Sequence, residues 1–295
     1  MKPTLSALIA QGKTLVSDGA WGTFLQAKGL KPGECPELWN IEHPEAVLDI
    51  AKSYIDAGAD TIETNSFGGS CFKLEGFGLA DRVYEINRKA AEISRQAAGN
   101  DKYVLGSIGP TGKMLIMGDV TEEELYEAFK EQAVALSDGG ADAIVIETMT
   151  ALDEAEIAVR ATRENTKLEV ICTMTFDHLA TGEYRTMMGV SPTEMVEVLK
   201  AAGADILGAN CSNGIEGMIH ITEEIRSVDK EIPVLIHANA GLPILQGMCT
   251  VFPESPEMMA AYATQLASAG ANIIGGCCGT TPEHIHKLAD VLKSH

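Results

Sequence analysis

Short apolar, β-branched runs recur along the chain at residues 14–17, 60–64, 103–108, 143–148, 168–175, 206–209, 234–238 and 272–275. Runs of that length predict strands. Between them the apolar positions take helical spacing: Val47, Ile50, Ala51, Tyr54 and Ile55 repeat at i, i+3, i+4 and share one face. The helix starts carry chemical marks. Thr121 with Glu124 and Ser191 with Glu194 form capping-box patterns, while Pro192, Pro256 and Pro282 each follow Ser or Thr at the first helical position. Four helices are predicted to end in related punctuation: Ala57-Gly58-Ala59-Asp60, Gly139-Gly140-Ala141-Asp142, Ala202-Gly203-Ala204-Asp205 and Ala269-Gly270-Ala271-Asn272. In each, a glycine suits a left-handed helix terminus. Strict strand and helix alternation demands a parallel sheet covered by helices, and eight units close a barrel. The expectation is an α/β fold, a (β/α)8 TIM barrel forming one domain over residues 1–295. An open doubly wound sheet would want a Gly-rich dinucleotide turn after the first strand, and Asp18-Gly19-Ala20-Trp21-Gly22-Thr23 lacks G-x-G-x-x-G.

Composition narrows the partners. With 22 Lys and Arg against 42 Asp and Glu, the net charge of −20 disfavours nucleic acid and polyanionic substrates, which need basic stripes. No run of 18 uncharged apolar residues suggests a membrane span, and Met1-Lys2-Pro3-Thr4-Leu5 does not open a secretory signal. Seven cysteines without such a signal fit reduced thiols or metal ligands better than a disulfide framework. A cytoplasmic protein is expected.

In a barrel of this kind the active site sits at the carboxyl ends of the strands. The residues there are unusually polar: Asp18; Glu63 and Asn65; Ser107; Glu147 and Thr148; Thr175; Asn210 and Cys211; His237 and Asn239; Cys277 and Cys278. Cys211 after the sixth strand and Cys277-Cys278 after the eighth bring three thiols to one end. Three thiolates favour zinc at about 2.3 Å and leave a fourth position for substrate. Adjacent cysteines point to opposite faces of a regular strand, so both reach one metal only if the chain bends, which Gly275-Gly276 and Gly279 permit. The alternative is buried small hydrophobes or a redox pair. Cys35, Cys71, Cys172 and Cys249 read as structural or incidental, and His237 as a packed neighbour rather than a ligand.

Six segments carry a family likeness: Asp18-Gly19-Ala20-Trp21-Gly22-Thr23, Glu63-Thr64-Asn65-Ser66-Phe67, Ile108-Gly109-Pro110-Thr111-Gly112, Gly208-Ala209-Asn210-Cys211, Asn239-Ala240-Gly241 and Gly275-Gly276-Cys277-Cys278-Gly279-Thr280-Thr281-Pro282. Together, from about Leu15 to Leu288, they resemble the homocysteine S-methyltransferase family, especially the homocysteine-binding module of cobalamin-dependent methionine synthases. The resemblance implies zinc on Cys211, Cys277 and Cys278, with homocysteine sulfur in the open position and Asn239 near the metal. It further implies that Asp18 and Glu147 receive the substrate amino group, and that backbone N–H groups around Gly19 and Ala20 receive its carboxylate. Two departures stand out. Ala238 replaces the family's proline before Asn-Ala-Gly, preceded by His237, and the chain stops soon after the eighth helix, so the folate, cobalamin and reactivation modules are expected to be absent.

The chemistry follows from the thiol. A free alkyl thiol with a pKa of about 8.5 is mostly protonated at neutral pH, and a coordinated one is deprotonated. Attack on an electrophilic methyl group then gives a thioether, a poor zinc ligand that leaves. Glu147 is read as a positioning group, with capping or rim packing as its structural alternative, and Asp-Gly at Asp18 also suits a turn. The expected reaction is methylation of homocysteine to methionine, with a separate methylated corrinoid protein as donor and methylcobalamin thereby supplied in trans. S-methylmethionine or betaine as donor, or another thiol or methylated substrate in a corrinoid demethylation system, are the enzymatic alternatives. A non-enzymatic zinc- or thiol-binding module docking to other methyltransferase subunits is the third.

Overall fold

The computed structural model describes residues 2–293 except 247 and 248. Eight parallel strands follow one another: β1 (Leu15–Val16), β2 (Thr61–Glu63), β3 (Tyr103–Ile108), β4 (Ala143–Met149), β5 (Glu169–Met174), β6 (Ile206–Asn210), β7 (Val234–Ala238) and β8 (Ile273–Gly276). Each is followed by a helix: α1 (Pro44–Asp56), α2 (Val83–Ala98), α3 (Glu122–Asp138), α4 (Leu152–Asn165), α5 (Pro192–Ala202), α6 (Ile215–Val228), α7 (Pro256–Ala269) and α8 (Pro282–Leu292). Strands pair in sequence order from β2 to β8, and β8 pairs with β1. The remaining seam, between β1 and β2, is closed by side chains as well as backbone. Asp60 N–H donates to Val16 O at 2.6 Å, Val16 N–H donates to Asp60 Oδ2 at 3.1 Å, and Glu63 N–H donates to Asp18 Oδ2 at 3.0 Å. The (β/α)8 expectation holds.

Strand alternation sorts the core into two shells. Leu15, Leu105, Val145, Ile171, Ile206, Leu235 and Ile273 form one apolar cluster inside the barrel, with Leu5 from the short helix Leu5–Ile9 packed against them. The intervening residues, Val16, Val104, Ile144, Val170, Leu207, Val234 and Ile274, pack outward in the larger cluster with the helices. The helix face predicted at Val47, Ile50, Ala51 and Tyr54 is fully buried there. At Gly208 on β6 a Cβ would lie 1.7 Å from Leu235 O on β7, so only glycine lets these strands approach.

The predicted capping boxes form at Thr121/Glu124 and Ser191/Glu194. The four repeated helix-to-strand turns are equally regular. Gly58, Gly140, Gly203 and Gly270 have φ between +99° and +115°, and the acid or amide two residues on clamps the preceding odd-numbered strand. Val104 N–H donates to Asp142 and Val170 N–H to Asp205, each at 2.8 Å, and Val234 N–H donates to Asn272 at 2.9 Å, as Val16 does to Asp60. Arg95, Arg163 and Arg226 donate to the Gly140, Gly203 and Gly270 carbonyls and to the same Asp or Asn, while Lys102 and Lys293 serve Asp60. No helix among the described residues is long and apolar enough to cross a membrane.

Candidate metal and substrate site

Above the apolar layer the inward positions turn polar: Ser17, Glu63, Ser107, Glu147, Thr173, Asn210 and His237, all buried. Of these, Glu63, Ser107, Glu147 and His237 line a cavity of about 290 Å³ at the carboxyl ends of the strands. Its wall includes Gly19, Ala20, Trp21, Glu63, Glu147 and His237 and all three predicted cysteines.

The thiols meet because the backbone leaves strand geometry at two places. Cys211 would continue β6 outward, but φ values of +63° at Cys211 and +56° at Ser212 turn it over the barrel mouth. Such angles are unfavourable without glycine and are held by context; here Cys211 N–H donates to His237 O at 3.1 Å and Asn213 N–H returns to Cys211 O at 2.7 Å. Beyond β8 the chain folds into a turn in which Thr280 N–H and Oγ1 both donate to Cys277 O, at 3.1 and 2.7 Å. A Cβ at Gly276 would sit 2.2 Å from Thr280 Oγ1, so the turn requires glycine there. The three sulfurs consequently lie within 4.8 Å of one another, with Cys211 and Cys278 Sγ 4.0 Å apart.

Hydrogen bonds from Cys277 and Cys278 pull the Cys211 thiol down to about 3, while accepting neighbour Cys211 pushes Cys278 up to about 11 and Cys277 upward as well. The cluster thus favours one thiolate shared by three sulfurs. It fits a soft divalent ion such as zinc, whose charge would let the remaining thiols ionise. Asn239 supports the Cys211 thiolate, and its Oδ1 is a buried acceptor without a partner. Cys35, Cys71 and Cys172 are free thiols raised by burial and stand outside the cluster. The Cys249 side chain lies outside the described residues.

Asn210 organises the acidic wall. Its Oδ1 accepts from Thr148 N–H at 2.8 Å and Thr173 Oγ1 at 2.7 Å, while its Nδ2 donates to Glu147 Oε2 at 3.3 Å and Thr148 Oγ1 at 2.7 Å. Thr148 is held at φ +61° by these contacts. Ser107 Oγ donates to Glu147 Oε1 at 2.5 Å. Burial, then the charge of Glu63, raises the Glu147 carboxyl well above the ordinary range.

Asp18 stands behind the wall, fully buried. It accepts from Trp21 Nε1 at 2.8 Å, Glu63 N–H at 3.0 Å and Ser17 Oγ at 3.2 Å, and burial pushes it up to about 7. Ala20 N–H donates to Thr280 Oγ1 at 3.1 Å, so a carboxylate at this turn would have to share that donor. Asn65 is occupied at the rim by Pro36 O and Asn40. Glu63 and His237 do more than pack. Both line the cavity with Nδ1 and Oε1 3.3 Å apart, burial raising the acid to about 8 and lowering the imidazole. With Asp18 they form a second group whose ligand atoms lie within 4.8 Å of one another, suited to a cation. Alternation alone marks Glu63 as inward, two residues beyond inward Thr61, whereas the roles of Asn210 and Ser107 needed the fold.

The family model described as homocysteine S-methyltransferase matches residues 15–292. Methionine synthase of Mycobacterium tuberculosis (strain ATCC 25618 / H37Rv) is 34% identical over 298 residues, covering 96% of this chain and 25% of the relative. Methionine synthase of Mycobacterium leprae (strain TN) is 33% identical over 293 residues, covering 94% and 24%. The chain spans about a quarter of the length of these curated relatives. The metallated form of the homocysteine methyltransferase MmuM from Escherichia coli superposes with a TM-score of 0.79 at 25% identity, covering 97% of this chain and 99% of that one. On the matched residues and the shared architecture, this chain belongs to the homocysteine S-methyltransferase family.

Proposed function

We propose that this chain methylates homocysteine on sulfur to give methionine, using zinc held by Cys211, Cys277 and Cys278. The observation that carries the reading is the juxtaposition, in one cavity, of a three-sulfur cradle and a buried acidic wall. A substrate with a thiol at one end and an ammonium at the other matches both. Zinc in the cradle would supply the Lewis acidity that keeps a substrate thiol ionised at neutral pH.

The chain's own residues bind and orient. Glu147, fixed by Ser107 and Asn210, accepts the substrate ammonium, Asp18 holds Trp21 from behind, and Tyr54 and Thr280 hold the Gly19-Ala20 turn. The turn's N–H groups face the substrate carboxylate. Asn239 steadies the Cys211 thiolate. Attack of the substrate sulfur on the donor's methyl carbon forms the thioether C–S bond as the methyl–donor bond breaks, the demethylated donor leaving with that electron pair.

The methyl donor is assigned to a separate methylated corrinoid protein on the likeness to the methionine synthases. A small methyl-onium donor such as S-methylmethionine or betaine is the second reading. Zinc content and homocysteine calorimetry on the parent and Cys277→Ser test the core reading. One zinc per chain and zinc-dependent binding with proton release are expected, both lost in the variant. Failure to retain zinc under reducing, metal-replete conditions overturns it. A donor screen then separates the two donors.

A further inference from the structure

Strand alternation puts into the cavity a carboxylate to which the family likeness assigned no role. Glu63 shares the inward register of Ser107, Glu147, Asn210 and His237, lines the cavity wall and is only 7% exposed. Resting on the reading of homocysteine as substrate, we propose that Glu63 is a specificity-determining residue that receives the substrate ammonium together with Glu147.

Three observations carry this. Glu63 Oε1 is buried without a hydrogen-bond donor; His237 Nδ1 lies 3.3 Å away but is poorly aligned, and that ring's Nε2 is also unpartnered. A buried carboxylate oxygen in that state is costly unless a ligand completes it. Second, the other acids are provisioned differently. Asp18 already accepts three donors, and Glu147 is held by Ser107 and Asn210, which leaves Glu63 the least satisfied acid on the wall. Third, an ammonium has three donors and a positive charge, so it can be shared by Glu63 and Glu147, and it would offset the charge of Glu63 that raises the Glu147 carboxyl. The sulfur cradle on β6 and β8 faces these acids on β2 and β4 across the same cavity, which gives the site a polarity from amine to thiol.

Glu63 with Asp18 and His237 would instead suit an inorganic cation, and the test separates the two. Affinities for homocysteine and for 4-mercaptobutanoate, the same thiol acid without its amino group, are measured by calorimetry on zinc-replete parent, Glu63→Gln and Glu63→Asp, alongside KM and kcat. Glu63→Gln is expected to weaken homocysteine binding and raise KM by at least about tenfold, leaving 4-mercaptobutanoate within about twofold. Glu63→Asp keeps the charge and guards against a folding defect in the amide variant; it should retain zinc and more of the preference for homocysteine over 4-mercaptobutanoate than Glu63→Gln does. Unchanged discrimination between the two thiols, or equal loss of both, overturns the proposal. So does a second metal ion per chain that disappears in Glu63→Gln while discrimination persists, which assigns the seat to that ion. A parent that binds neither thiol removes the substrate reading itself, and this inference falls with it.

Discussion

At the amino ends of the strands, four helix-to-strand connections repeat one clamp: a left-handed glycine, an acid or amide bonded to the neighbouring strand, and a cation bridging both. At the carboxyl ends no such repetition exists. There positive φ angles fall on Thr148, Cys211 and Ser212 as well as on glycines such as Gly241 and Gly279, Glu63 Oε1 is buried without a donor, and three thiols crowd together. The depression at the amino end is larger, about 1150 Å³, yet its Lys2, Lys102 and Lys293 are already paired with Asp142 or Asp60. Size therefore says less about chemistry than unsatisfied groups do. One end spends its polar groups on holding strands in register, and the other keeps them available.

Substitutions at the two ends should therefore fail in different ways. Cys211→Ala should abolish zinc retention and lower methyl transfer more than a hundredfold, roughly, while the barrel stays folded by circular dichroism. Unfolding instead would make the cradle a structural site. Asn210→Ala should keep zinc but lower kcat/KM by roughly ten- to a hundredfold, because Glu147 and Thr148 lose their common anchor; intact kinetics would show that the wall orients itself. Arg226→Ala, at the other end, removes donors to Gly270 O, Ile232 O and Asn272. It should cost about 2–3 kcal/mol in denaturant unfolding with kcat/KM within about twofold of the parent.

The smallest effect is a pH slope. Burial raises Glu63 to about 8 and Asp18 to about 7, so the folded state binds more protons than the unfolded chain between the ordinary carboxylate range and pH 8. The associated stability is complete below about pH 4 and is lost as pH rises through 7 to 8. Across pH 6.5–9 the melting temperature of substrate-free protein should fall more steeply in the parent than in Glu63→Gln. Parallel curves would place the acid outside the buried wall.

Much of this architecture was legible beforehand because alternation and caps are local. The strand ranges agree to within a residue or two at most ends, and the capping boxes and glycine termini fall where the spacing placed them. The strand-end rule also brought Cys211 to Cys277 and Cys278. The facing of single side chains was less legible. Asp18 has the outward parity of Val16 and is drawn into the β1–β2 seam, while Glu63 keeps inward parity and reaches the cavity. Two antiparallel hairpins, Asp177–His178 with Tyr184–Arg185 and Ile244–Gln246 with Cys249–Val251, went unread in the sequence although a glycine, Gly182 or Gly247, stands between each pair of short strands. The seam needed tertiary partners 44 and 45 residues apart, beyond any local window.

The pairing of β1 with β8 also sets a timetable. Leu15 and Val16 can find Ile273 and Ile274 only after the intervening chain has been synthesised, and such distant contacts form slowly. The sulfur cradle shares that delay, since Cys211 waits for Cys277 and Cys278. On the zinc reading, a nascent chain would offer Cys211 without its partner thiols, and high-affinity metal loading would wait until the ring has closed.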